Sequence, residues 1–277
     1  MSKILWITDP HLNFVHDYDL KEFYKKITDN TPSALFVTGD IAEAPCVFKY
    51  LAELEAAANC PVYFVLGNHD YYHGSIAKVR HKAGKVTEDD SNRLYWMPAK
   101  GVVELSKTSA AIGVDGWGDG RLGNPATSQV YLNDWECIKE LMMKRPQSVG
   151  THLYERIPAL NKLGDEEAET LKPLLEEALS KYNKVFVLTH IPPWEEATWH
   201  QGAHSDSDWL PWFSCAAVGD VILELSHEYP DKEIVVLCGH THGFGVSQIS
   251  SNVIAHTGAA QYRFPEIARV LESGDDE

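Results

Sequence analysis

The sequence predicts a layered, mostly parallel α/β fold, and two observations carry that prediction. The first is a series of short apolar runs rich in β-branched residues: ILWIT (4–8), ALFVTG (34–39), VYFVLG (62–67), VFVLT (185–189) and IVVLCG (234–239). Each is apolar on both faces, as a strand buried between two layers must be and an amphipathic helix is not. The second is the helical text between several of them. Residues 18–29 and 47–58 are examples, the latter rich in Ala, Glu and Leu with no internal Gly or Pro. Strands alternating with helices imply parallel pairing with helices on the outside.

The other elements come in order along the chain. LYWM (94–97), VVEL (102–105) and AAIGV (110–114) have no long helix between them, so an antiparallel patch is expected there. Residues 115–132 are rich in Gly, Asn and Pro and read as a loop. Residues 133–182 read as helical, with breaks near Arg145–Pro146 and Gly164–Asp165. GFGVSQI (243–249) and NVIAHTG (252–258) read as a hairpin, and EIARVLE (266–272) as a last strand. One domain is expected over residues 1–272, with a disordered tail at 273–277.

Composition narrows the partners. A net charge of −16 disfavours long nucleic acid and anionic membrane surfaces. The five cysteines are odd in number and form no CxxC pair, so reduced thiols in the cytoplasm are expected. The apolar stretch before Asp9 is too short for a signal peptide, and no later run is long enough to span a bilayer. Oligomeric state is not legible.

The residues just beyond each buried run are more informative. After the first come Asp9 and His11, after the second Asp40, and after the third Asn68, His69 and Asp70. After VFVLT comes His190, and after IVVLCG come His240 and His242. Parallel strands bring these residues to one rim, the edge at which ligands bind in open α/β sheets. Carboxylates, imidazoles and an amide oxygen without a thiolate suit manganese, iron or zinc. There are ligands enough for two ions if one carboxylate bridges.

The set DPH (9–11), GD (39–40), GNHD (67–70), His190 and GHTH (239–242) resembles the signature of the calcineurin-like metallophosphoesterase superfamily. The resemblance implies a four-layer α/β/β/α sandwich of two mixed sheets with two divalent or trivalent ions at one rim, manganese first among the candidates. Carried over by position, Asp9, His11 and His242 hold one ion, and Asn68, His190 and His240 the other. Asp40 bridges them, and His69 sits beside the phosphate without binding metal. The protein Ser/Thr phosphatases of the superfamily carry GDxxDRG and GNHE, where this chain has GDIAEA and GNHD. Glu43 could replace the missing Asp, but Ala44 cannot replace the phosphate-binding Arg, which argues against that branch.

The implied function is hydrolysis of a small phosphate ester, a phosphodiester slightly favoured. A hydroxide shared by two ions would attack phosphorus while His69 assists the leaving group. Glu43 or Asp70 would orient the His69 ring. The alternatives are a phosphomonoesterase acting on a small molecule or nucleotide, and a non-catalytic scaffold on the same fold. Two segments are candidates for substrate contact. DGWGDGRLGN (115–124) offers Arg121 as a phosphate clamp and Trp117 as a stacking surface. The Trp-rich stretch 192–213 offers a lid in which Trp194 or Trp199 stacks on a flat group, or else an interface. His200 and His204 read first as solvent-exposed histidines and second as further ligands. Arg263 could lie at the rim or outside it.

Overall fold

The computed structural model describes residues 3–142 and 156–274. Its first sheet has the order β13-β1-β2-β3-β4. Here β1 is Lys3–Ile7, β2 Ala34–Thr38, β3 Val62–Val65, β4 Leu94–Trp96 and β13 Arg269–Glu272. β1 to β4 are parallel, and β13 joins β1 antiparallel. The second sheet has the order β11-β12-β10-β7-β6-β5. Its strands are β5 (Val103–Glu104), β6 (Ser109–Gly113), β7 (Lys184–Leu188), β10 (Glu233–Cys238), β11 (Gly245–Ser250) and β12 (Val253–Thr257). A small hairpin of β8 (Trp199–His200) and β9 (Ala203–His204) stands apart. The expected antiparallel patch is therefore only partly present: β5 and β6 pair antiparallel, but β4 runs parallel to β3 and β6 parallel to β7.

Both faces of each central strand are buried, and alternate residues enter different layers. Ile4 and Trp6 of β1, Phe36 of β2, Phe186 and Leu188 of β7, and Val235 and Leu237 of β10 form the core between the sheets. Leu5, Ile7, Leu35 and Val37 face the other way, onto α1 (Asp17–Asn30), α2 (Val47–Ala58) and α3 (Ile76–Glu88). Val185, Val187, Ile234 and Val236 face α4 (Ile157–Lys181) and α5 (Ala216–Glu228). The result is the four-layer α/β/β/α sandwich of two mixed sheets. The helices bury the faces their sequences dictate: Val47, Leu51, Leu54 and Ala58 of α2 recur at helical spacing and are all buried.

The break expected at Gly164–Asp165 is absent, because α4 runs through both residues. Gly164 serves packing instead. A Cβ there would lie 2.7 Å from the Cβ of Asp119, so its absence lets the 115–124 loop lie against the helix. The break expected near Arg145–Pro146 lies outside the described residues, as do 275–277 of the expected tail. Ser273 and Gly274 are not loose, since their carbonyls accept hydrogen bonds from Ser109 and Thr108.

The two halves of the sandwich are joined by buried charge. The Arg80 guanidinium on α3 pairs with Glu167 on α4 and, at 3.2 Å, with Asp115 just after β6. Asp115 also accepts hydrogen bonds from the Leu66 N–H, the Trp96 indole and the Tyr71 hydroxyl. Removing the cation would strand two buried carboxylates. Arg80→Ala is expected to cost about 3–5 kcal/mol of unfolding free energy in urea melts; a loss below about 1 kcal/mol would show that this network does not hold the halves together.

Candidate metal centre

The first parallel sheet delivers Asp9 beyond β1, Asp40 beyond β2 and Asn68 beyond β3. The second delivers His190 beyond β7 and His240 and His242 beyond β10. The carboxyl ends of both sheets meet, and donor atoms of Asp9, His11, Asp40 and His242 converge within 4.8 Å of one another. Those of Asp40, His190 and His240 do the same. Asp40 belongs to both groups. Asn68 completes the second, its Oδ1 lying 3.2 Å from both His190 Nε2 and His240 Nδ1.

The spacings are those of ligands around ions. His11 Nε2 is 3.1 Å from His242 Nε2, and His242 Nε2 is 3.4 Å from Asp9 Oδ1. His190 Nε2 is 3.3 Å from Asp40 Oδ1. Ligands about 2.0–2.2 Å from a common ion lie roughly 3.0–3.5 Å apart. Two imidazole nitrogens facing each other at 3.1 Å share either a proton or an ion between them. His190 is oriented for this role: its Nδ1–H donates to the Thr38 carbonyl at 2.9 Å, which leaves Nε2 unprotonated and turned to the cluster.

Electrostatics agree with the geometry. Asp9 and Asp40 are 1% and 2% exposed. Burial and then the nearby Asp9 charge push Asp40 well above the usual carboxylate range. Burial is the largest influence on Asp9 and would raise it, but the His242 hydrogen bond and the surrounding imidazoles together hold it low. Burial keeps His11 and His240 neutral, the form in which imidazole binds a metal. The residues present fit two ions, with Asp40 as the shared ligand.

Local backbone explains the motifs. Asp9, His11, Asp40, His240 and His242 all have positive φ. Asp and His tolerate this region better than bulky or branched residues. A Cβ on Gly239 would lie 2.0 Å from Asp9 Oδ2, so the glycine before His240 allows that strand end to approach the Asp9 carboxylate. The His240 N–H then donates to Asp9 at 2.9 Å.

The other predicted residues divide. His69 lines the cleft, with Nε2 3.9 Å from Asp40 Oδ2 and 3.4 Å from the Tyr262 hydroxyl. Neither expected orienting group reaches it. The Asp70 carboxylate is spent on the N–H groups of Ala42 and Gly67, tying the Asp40 loop to the Asn68 loop. Glu43 faces His73 at 3.9 Å. His69 Nδ1 has no hydrogen-bond partner among the described residues. Its ring is instead stacked on Tyr72, with centroids 4.2 Å apart.

Four substrate contacts are corrected. Arg121 is tied down by Asp119 and Asp165. Trp117 is buried beneath the site and stacked on Tyr71. Trp194 is buried in the core under the second sheet. Trp199 donates its indole N–H to Ser247, away from the ions. The predicted loops do wall the cleft, but with other side chains: Tyr131 and Leu132 from one, His200, Trp209 and Phe213 from the other. This cleft has a volume of about 340 Å³.

Sequence reasoning missed Asp134, which is buried and accepts hydrogen bonds from Asn68 Nδ2 at 2.8 Å and the Tyr72 hydroxyl at 2.6 Å. It orients a ligand rather than being one. It also missed Tyr262, whose ring stacks on His11 at 4.3 Å. Neither sits in a motif, and only the fold brings them to the rim.

The sequence profile of the calcineurin-like phosphoesterase family matches residues 2–244. Among curated proteins none matches significantly in sequence. Among solved structures, the chain is similar to a phosphopantetheinyl hydrolase from Mycobacterium tuberculosis, at 15% identity and a TM-score of 0.60. That likeness covers 94% of this chain and 90% of the other. It is also similar to a dimetal phosphatase from Danio rerio, at 12% identity and a TM-score of 0.56, covering 93% and 87%.

Ions that bind only the folded chain must stabilise it. Manganese at about 100 times its Kd is expected to add about 2.7 kcal/mol for each occupied site, read as a raised Tm that chelation reverses. Asp40→Asn should lower bound metal from two ions per chain to fewer than one by elemental analysis. Retention of both ions in that variant would show that Asp40 is not the shared ligand.

Proposed function

Since the chain belongs to the calcineurin-like phosphoesterase family and is a metal-dependent phosphoester hydrolase, we propose that its substrates are small phosphodiesters. The observation that carries this is the cleft above the shared Asp40. Among the described residues that line it there is no Lys or Arg, and its walls include Tyr72, Tyr131, Trp209, Phe213 and Tyr262. A monoester dianion gains most from guanidinium or ammonium partners. A diester carries one charge and an organic group on each side of phosphorus, which aromatic walls favour.

When bound, the two ions supply Lewis-acid charge and a water of lowered pKa. The chain's residues do the rest. Asp40 fixes the two sites relative to each other, and Asp134 holds the Asn68 amide so that its oxygen faces the second. His69 faces the same cleft. Burial pulls its pKa down to about 3, so near neutrality it is an uncharged N–H donor. In that form it stabilises charge on the departing oxygen. Tyr72 and Tyr262 hold its ring and cover one side of the site from water.

Manganese is the preferred ion in this reading, since the ligands are carboxylates, imidazoles and an amide oxygen. All five cysteines are free, which supports a reducing, cytoplasmic setting. No described helix is long and apolar enough to cross a membrane. The acidic surface opposes long nucleic acid.

Hydrolysis of bis(p-nitrophenyl) phosphate and p-nitrophenyl phosphate, after chelation and with manganese restored, tests the reading. The expected result is manganese-dependent cleavage with higher kcat/KM for the diester. Preference for the monoester would select a phosphomonoesterase, and no metal-dependent cleavage of either would sink the catalytic reading. His69→Ala should keep both ions yet lose about 10²-fold or more in kcat on alkyl leaving groups, with a smaller loss on p-nitrophenolate. Equal losses on both would remove His69 from the leaving-group side.

A further inference from the structure

A second cavity of about 250 Å³ adjoins the metal cleft, lined by His200, His204, Ser205, Asp206, Trp209 and Phe213. His200, Trp209 and Phe213 line both spaces, so the two adjoin across a shared wall. A path of rings leads from one to the other. Phe213 lies edge-on to His240 at 4.6 Å, and Trp209 lies 4.8 Å from Phe213. We propose that this cavity is a subsite for an uncharged, flat, hydrogen-bonding group, of which a nucleobase is the type, carried on the substrate's phosphate. The inference rests on the phosphodiesterase reading for what carries the base.

Three features support the assignment. The lining is half aromatic face and half polar edge, which suits a ring that stacks and also donates and accepts. No Lys or Arg is among the described residues that line the cavity, so a second phosphate would find no permanently charged partner there. The walls are also held in place. His200 Nδ1–H donates to the carbonyl of Thr241, between the two ligands His240 and His242, at 2.9 Å. A carbonyl only accepts, so the proton sits on Nδ1 and His200 Nε2 is left for a ligand's donor. Asp206 Oδ1 accepts the N–H groups of Asp208 at 2.9 Å and Trp209 at 3.2 Å, which fixes the turn bearing the indole. The Ser205 N–H donates to the Thr198 carbonyl at 2.9 Å, closing the base of the β8–β9 hairpin. A subsite fixed in this way loses little entropy when a rigid ring enters.

The test separates the base from the phosphate. Manganese-loaded protein is titrated calorimetrically with adenosine 5′-(methyl phosphate) and with ribose 5-(methyl phosphate), identical at the diester and differing only in the base. The expected result is about tenfold or tighter binding of the adenosine ligand. Trp209→Ala should reduce that ratio toward one, and Trp209→Phe should restore most of it. His204→Ala should reduce it by a smaller factor. Equal affinities in the unaltered protein, no binding of either ligand, or a ratio that survives Trp209→Ala would each overturn the subsite. Because binding is read directly, an absence of hydrolysis would count against the phosphodiesterase reading and leave this result standing.

Discussion

The structure is organised around two buried carboxylates at the meeting of the two sheets. Asp9 and Asp40 are ringed by imidazoles, with no Lys or Arg among the described residues that line the cleft above. Isolated buried carboxylates are costly, and proteins meet that cost by pairing, protonation or metal binding. Part of that cost is met by the Thr8 hydroxyl and the His240 N–H on Asp9 and by the His69 N–H on Asp40. Burial and the Asp9 charge still push Asp40 toward protonation. Two ions would relieve both carboxylates together, since Asp40 lies in both groups of donor atoms. The parallel sheets are the means by which five strand ends reach this point.

Further carboxylates hold the frame, and each spends its oxygens on a different loop. Asp70 joins the Asp40 and Asn68 loops through backbone N–H groups, and Asp134 orients the Asn68 amide. Asp115 links β3, the Trp96 indole and Tyr71, and is countered by Arg80. These groups act by placing ligands and by crossing from one half of the sandwich to the other. That is why Asp70, adjacent to His69 in sequence, contributes to the site without touching the His69 ring.

How much the sequence disclosed depends on the range of the interaction. The buried strands and the ligands behind them were legible, because alternation, glycine placement and residue type are local signals. The strand pattern gave a layered, mostly parallel fold, and the fourfold layering came only with the family resemblance that the ligand motifs carry. The substrate wall was not legible. Trp117 and Trp194 read as stacking surfaces by composition, but their depth is set by α4, α5 and the second sheet. Tyr131, Trp209 and Phe213 lie in loops the sequence singles out, but which of their side chains reach the cleft, like the arrival of Tyr262, is set by tertiary folding. Gly164 read as a helix break because propensity alone cannot show that a loop packs onto that face. Glu43 read as a partner for His69, but the fold turns its carboxylate to His73.

The backbone at the ligands bears on how the site is made ready. Five of the seven ligand residues sit at positive φ, a conformation that costs energy in a free chain. Here the surrounding bonds fix it: the Asp9 N–H donates to the Gly39 carbonyl, the His11 N–H to the Asp40 carbonyl, and the His240 N–H to the Asp9 carboxylate. Each turn thus points a side chain at the cluster while its N–H is satisfied by a neighbouring strand end. The cost of this arrangement is met by folding, before any ion arrives. Metal binding then need not reorganise backbone, and the cleft above it keeps the shape its aromatic walls define. Selectivity can therefore change through walls carried on segments away from the ligands, Tyr131 and Trp209 among them, whereas Tyr72, Phe213 and Tyr262 touch Asn68, His240 and His11 directly.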